Sequence, residues 1–307
     1  MSESAAETLP PSSPPQPACA LAFNAVDPSG AGGLAADQLA MASIGAHMAA
    51  VATGAYVRDT RTTVDFFALD EDALDAQARA VLEDMDVSVL LLGFAGNADN
   101  LGAVAGIASD YDNLPLITYM PPLTWLDDTA LETYWDATQQ LILPLTTVLV
   151  ANHTTLWRWL LPDWEAGTTP QPLELARAAQ KHGVTYTVIT GLARADGQME
   201  TVLAHVDGVL AQRTAPKFDA NFAGAGETLA ATLAALLATG SALTDAFDEA
   251  IDYVEQSMMA GYRPGMGHVV PDRLFWAQAQ SDDTQDSETD DSAPAPTWEH
   301  HHHETKH

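Results

Sequence analysis

Short apolar runs recur along this chain, each followed by a stretch of helical composition, and that alternation limits the possible folds more than any other feature. "ACALAFNAV" ends at Asp27 and passes through "DPSGAGG" into an Ala-rich helical stretch from Leu34 to about Gly45. "MAAVATGAYV" reads as a strand, and "DEDALDAQARAVLEDM" as a helix with acids in its first turn, where the macrodipole favours them. "VSVLLLGF" is continuously apolar, which suits a strand buried on both faces. A helix over 97–108, a strand "LPLITYM", a helix over 129–141 and a strand "TTVLVA" follow. After "NHTTLWRWLL" come a helix over 172–182, a strand "VTYTVIT" and shorter strands over 200–209. Strand and helix alternating at this spacing predict a mainly parallel sheet covered on both faces. No repeat or linker interrupts residues 19–280, so the expectation is one domain over 19–280, with disordered tails at 1–18 and 281–307.

Charge narrows the partners. The 307 residues carry 42 acids against 12 bases, a formal net charge of −30. Nucleic acids and anionic membranes need the opposite balance, so neither is expected as a partner. The lone Cys19 has nothing to pair with, which points to a reducing cytoplasm. Residues 1–18 have no cationic start of a signal peptide, and no apolar run reaches the roughly 18 residues of a membrane helix. His300 to His303 read as a metal-binding run or as a low-complexity tail, and the tail is the simpler reading.

In parallel sheets, ligands bind beyond the carboxyl ends of the strands. Three loops lie there: "NAVDPSGAGG", "GAYVRDT" and "GFAGN". The chain has no P-loop, no dinucleotide-binding glycine motif, no HExxH, no CxxC and no GxSxG. It does have a second glycine-rich turn, "AGAGETLAATLAALLATG", where Gly224 and Gly226 open a helix and Glu227 follows at once. Such a helix start gathers N–H groups around an anion, so a carboxylate there has two readings. It complements the macrodipole, or it is a base aimed at whatever the N–H groups bind.

Four stretches, read together, resemble a known family. They are "NAVDPSGAGGLAADQLAMASIGAH", "AVATGAYVRDT", "AGAGETLAATLAALL" and "GMGHVVPDRLFWA". They look like the first strand, substrate loop and helix, the second strand, the anion-hole motif and the tail of the ribokinase superfamily. Within it they are most similar to the hydroxymethylpyrimidine and phosphomethylpyrimidine kinases of thiamine biosynthesis. The resemblance implies a three-layer α/β/α fold with a mainly parallel central sheet, and an ATP- and Mg²⁺-dependent kinase acting on a hydroxymethyl group. It makes Glu227 the general base, with the N–H groups of Gly224, Ala225 and Gly226 as the anion hole. Asn24, Asp27, Gly32, Arg58 and Phe94 would line the substrate pocket. Asn152, Thr190, Gly191 and Thr228 would serve the nucleotide, and Asp37 would stand by the metal. It also implies a homodimer.

The chain departs from the family's pattern at several of these positions. Glu227 stands where Asp or Cys is usual, which moves the carboxylate by about 1.5 Å. Ala225 replaces a Thr, and Phe94 a Met. Thr190 stands where a Lys commonly steadies ATP phosphates, so Mg²⁺, Lys217 or Arg213 would carry more of that charge. Arg58 replaces a pyrimidine-reading Gln; having only donors, it suits a carboxylate, carbonyl or phosphate, or it pairs with Asp59 and turns away. Asp37 faces the site or is a solvent-facing helix acid. A pyridoxal-like or other heterocyclic alcohol as substrate, and a ligand-binding relative without catalysis, are the alternatives these departures leave open.

Overall fold

The computed structural model describes residues 16–277. The expected disorder of 1–18 and 281–307 and the His300 to His303 run therefore fall outside the described residues, apart from 16–18. Nine strands form one sheet: β1 (Cys19–Val26), β2 (His47–Arg58), β3 (Thr63–Ala68), β4 (Val87–Leu92), β5 (Leu116–Met120), β6 (Thr146–Asn152), β7 (Tyr186–Ala193), β8 (Gln198–His205) and β9 (Gly208–Pro216). Their order is β3-β2-β1-β4-β5-β6-β7-β8-β9. The stretch from β2 through β7 is parallel, and β3, β8 and β9 join antiparallel at the edges. The helices are α1 (Gly33–Ser43), α2 (Glu71–Leu82), α3 (Ala98–Asp110), α4 (Asp128–Ala137), α5 (His153–Leu160), α6 (Pro172–Gln180), α7 (Ala225–Ala238) and α8 (Leu243–Met259).

Side chains alternate across a strand, so each buried strand feeds two cores. On β1, Ala20 and Ala22 face a layer made by α1, α7 and α8, while Leu21 and Phe23 face α2, α3 and α4. Leu149 and Ala151 of β6 meet α5 and α6 on that second face. Three layers result, as the alternation predicts. Helix α7 is buried from Thr228 to Leu236, wedged between the sheet and its neighbours α1 and α8. Its alanines let three elements approach it at once, which explains a helix apolar all round.

Three elements were not expected from the sequence. The edge strand β3 alternates weakly and exposes Val64 and Phe67. Helix α5 hides in an aromatic run. Helix α8 carries its apolar stripe at Ala246, Phe247, Ala250, Ile251 and Val254, at helical spacing that is legible in hindsight. Helix α4 ends at Ala137 rather than 141: a wider turn over Thr138–Ile142 precedes Pro144, which cannot continue an α-helix.

Candidate active site

Four successive helices, α2 to α5, are capped by their own N-cap side chains: Asp70, Asn97, Asp127 and Asn152. Helices α1 and α7 instead start from Gly32 and Gly224 with no side-chain cap, and their starts meet. Gly224 has φ +85°, and a Cβ there would collide with the carbonyl oxygen of Ala31 in the loop after β1. Glu227 crosses this junction: its Oε2 accepts a hydrogen bond of 3.2 Å from the Gly33 N–H, at the start of α1. Gly32 leaves room for that carboxylate, which any Cβ would overlap. The acid that opens α7 thus serves the dipole of α1, and it faces the β1 loop rather than bulk solvent.

Around Glu227 lies a network of charges. Asn24, buried at the end of β1, donates from Nδ2 to Asp37 Oδ2 at 2.8 Å and accepts the N–H groups of Ala25 and Phe94 through Oδ1. Asn24, expected to line the substrate pocket, thus joins β1 to the loop after β4. Asp27 accepts from the Ser29 N–H and hydroxyl and from the Gly32 N–H, and its Oδ2 is ion-paired with Arg58 Nη1 at 3.2 Å. Its lone pairs organise the loop, so it too is spent within the protein. Arg58 pairs with Asp27 rather than Asp59, whose carboxylate closes the following turn by accepting the N–H groups of Arg61 and Thr62. Asp37 is 1 % exposed and is no solvent-facing acid.

Arg273 is the residue sequence reasoning missed. It is 3 % exposed, and it donates from Nη2 to Ala31 O at 2.6 Å and from Nε to Thr228 Oγ1 at 2.9 Å. Nη1 reaches Gly30 O at 3.4 Å. One guanidinium therefore ties the β1 loop to α7. Thr228, expected at the nucleotide, is fully buried and spends its hydroxyl on Gly224 O and Arg273. The available signal was a single base inside the apolar run "HVVPDRLFWA", in a chain poor in bases.

Burial raises the Glu227 pKa above the ordinary range; Arg273 opposes the shift and Asp27 adds to it. Asp37 is raised by burial first and then by the Glu227 charge, against the Asn24 hydrogen bond and Arg273. Burial lowers the Arg273 pKa, and the two acids restrain that fall.

A cleft of about 640 Å³ opens beside the start of α7. Ala225, Gly226, Asn152, Thr190 and Gly191 line it together, so five residues assigned to catalysis and nucleotide converge there from α7, β6 and β7. Phe222, Leu229, Ile251, Val254 and Met258 supply an apolar end. Lys217 and Arg213 both line the cleft, and Arg213 is ion-paired there with Asp248 and Asp252 of α8. No group of three or more His, Cys, Asp or Glu is arranged to hold a metal among the described residues. Asp37, expected by the metal, is buried and accepts the Asn24 carboxamide through Oδ2.

On the other side of Glu227 the aromatic side chains close on one another. Phe94 is fully buried, stacked on Tyr56 at 5.7 Å and meeting Phe66, Trp125 and Tyr134 edge-on or tilted at 4.9–5.8 Å. Its ring, expected to line the substrate pocket, is part of a packed aromatic box.

The chain is similar in sequence and in fold to known proteins. The sequence profile described as phosphomethylpyrimidine kinase matches residues 27–272. A hydroxymethylpyrimidine/phosphomethylpyrimidine kinase of Mycobacterium tuberculosis is 28 % identical over 258 residues, 81 % of this chain and 91 % of that one. The Escherichia coli protein of the same description is 28 % identical over 254 residues, covering 81 % and 94 %. Among solved structures, an ADP complex of Bacillus subtilis pyridoxal kinase superposes with a TM-score of 0.76 at 18 % identity, covering 85 % of this chain and 99 % of that one. A Clostridium difficile phosphomethylpyrimidine kinase gives 0.62 at 17 % identity, covering 78 % and 99 %. These two likenesses concern the ribokinase-like fold.

Proposed function

The chain belongs to the phosphomethylpyrimidine kinase family, and on that premise we propose that it phosphorylates the hydroxymethyl oxygen of hydroxymethylpyrimidine or its monophosphate, using ATP. The observation that supports this most is the meeting of two uncapped helix starts over one inward-facing carboxylate, beside a large cleft. Glu227 takes the proton as the substrate oxygen attacks the γ-phosphorus. The new O–P bond replaces the bond to the β-phosphate oxygen, and ADP leaves. Its raised pKa makes Glu227 a stronger base than an exposed Glu, closer to the pH at which it works. The N–H groups of Ala225 and Gly226 would hold the charge on the group in transit, since phosphoryl transfer asks mainly for positioning and charge stabilisation. Asn152, Thr190 and Gly191 would take the nucleotide.

Magnesium ions commonly bind through one or two carboxylates plus substrate phosphates, so an ion accompanying ATP would need no larger cluster of protein ligands than that. The commitment of Arg58 to Asp27 removes the feature that favoured a pyridoxal-like substrate. No helix among the described residues is long and apolar enough to cross a membrane. A cytoplasmic homodimer completes the proposal. The test is ADP release with hydroxymethylpyrimidine and with pyridoxal. Release with the pyrimidine alone supports the reading, and heterocycle binding without ADP from either would make the chain a binding protein.

A further inference from the structure

Helix α7 makes its first intrahelical bond from the Thr228 N–H to Gly224 O, so the N–H groups of Ala225, Gly226 and Glu227 have no acceptor within the helix. A side-chain donor stands beside them. Tyr119, at the carboxyl end of β5, lays the edge of its ring against Gly226: a Cβ on Gly226 would lie 2.7 Å from the hydroxyl oxygen and 2.8 Å from Cε2. Tyr119 lines the same cleft as Ala225, Gly226, Thr190 and Lys217.

Buried tyrosine hydroxyls usually find a partner. Tyr134 does, accepting the Ala95 N–H at 3.0 Å, and so does Tyr253, donating to Arg273 O at 2.7 Å. The Tyr119 hydroxyl makes no hydrogen bond to any described residue. It is not sealed in either: among the described residues, the one enclosed side-chain nitrogen or oxygen without a partner is Asn100 Oδ1. An idle hydroxyl and the idle N–H groups of a helix start therefore look onto one space. An acceptor with several oxygens can satisfy the whole set at once, and a tetrahedral phosphoryl group is one. Burial, reinforced by the negative charges of Glu227 and Asp37, keeps the phenol protonated, so it acts as a donor.

We propose that the Tyr119 hydroxyl is a further catalytic donor, hydrogen-bonded to a non-bridging oxygen of the phosphoryl group held at the start of α7. This rests on reading that turn as the phosphoryl pocket. A neutral O–H there provides part of what a cation at position 190 would have supplied, in a chain where Thr190 offers none. The absence of a side chain at Gly226 also gives the ring its room, since a Cβ there would crowd the hydroxyl end of Tyr119.

The experiment uses the full chain and Tyr119→Phe, which keeps the ring and removes one oxygen. Steady-state ADP release with hydroxymethylpyrimidine is combined with calorimetric binding of a non-hydrolysable ATP analogue and of adenosine. The expected result is a fall in kcat of about a hundredfold, the scale for one lost oxyanion donor. The KM for the pyrimidine, the affinity for adenosine and the melting temperature should stay unchanged. Unchanged kcat overturns the proposal, as does an equal loss of affinity for adenosine and the analogue, which would mark a packing role. If the unsubstituted chain releases no ADP from any alcohol, the kinase reading fails separately, and binding then decides. Analogue affinity at least fivefold weaker in Tyr119→Phe, with adenosine unaffected, supports the donor; equal affinities refute it.

Discussion

Replacing Arg273 by Met tests the view that one buried cation holds the two loops of the site together. The side chain is 3 % exposed, so Met fills most of its volume without supplying a donor. Three interactions go, to Ala31 O, Gly30 O and Thr228 Oγ1. Glu227 and Asp37 also lose the positive charge that restrains their pKa values. Removing one partner from a buried charge cluster costs about 3–5 kcal/mol. For a domain of this size that is a fall in Tm on the order of 10 °C.

The pH dependence identifies the cause. Without Arg273 the folded-state pKa values of both acids rise further above their unfolded values. Between those values the folded chain binds more protons than the unfolded one, so stability falls as pH rises. The gap between Arg273→Met and the parent should therefore be widest near pH 8 and narrow toward about pH 5.5, where more of each raised acid is neutral. Each unit of extra pKa shift adds about 1.4 kcal/mol to the charge-dependent part. Urea unfolding at the two pH values measures it. A loss under about 1 kcal/mol, or an equal loss at both pH values, would refute a role for the guanidinium as shared counter-charge.

Glu227→Gln keeps an oxygen that accepts the Gly33 N–H, so its melting curve should overlay the parent's while turnover falls on the order of 10²–10⁴-fold. Equal turnover would discard the base. The parent's kcat/KM should rise with pH through an inflection above the usual Glu value, because burial raises the Glu227 pKa; a pH-independent rate between about 4 and 7 would contradict this. Asp37→Asn removes a buried acid whose raised pKa costs stability once pH exceeds that of the unfolded carboxyl, yet it keeps the acceptor for Asn24. Thermal melts at pH 8 should show equal or higher stability, and a drop of several degrees would show the charge to be needed. Gly224→Ala meets both a positive φ and the Ala31 carbonyl, and should cost about 1–3 kcal/mol in urea unfolding; no change would mean that the loop relaxes freely.

Local patterns in the sequence carry much of this molecule. Apolar runs such as "VSVLLLGF" can only be strands covered on both faces, because their side chains alternate between two cores. The glycine turns at Ser29–Gly33 and Ala223–Gly226 are legible because few residues besides glycine tolerate such backbone, and the acid after the second is plain to read. What a polar side chain does with its hydrogen bonds is decided only in three dimensions, by partners far apart in the chain. Asn24, Asp27, Arg58 and Thr228 have the chemistry of ligand-binding residues, but the fold spends that chemistry on Asp37, Gly32, each other and Arg273. Arg273 and Tyr119 show no motif because their meaning comes from a tail and a strand end brought against α7 from opposite parts of the chain. Periodicity is a local property, whereas the pairing of a buried charge or hydroxyl depends on long-range contacts, and that is why the sequence determined the layers while the tertiary structure chose the site.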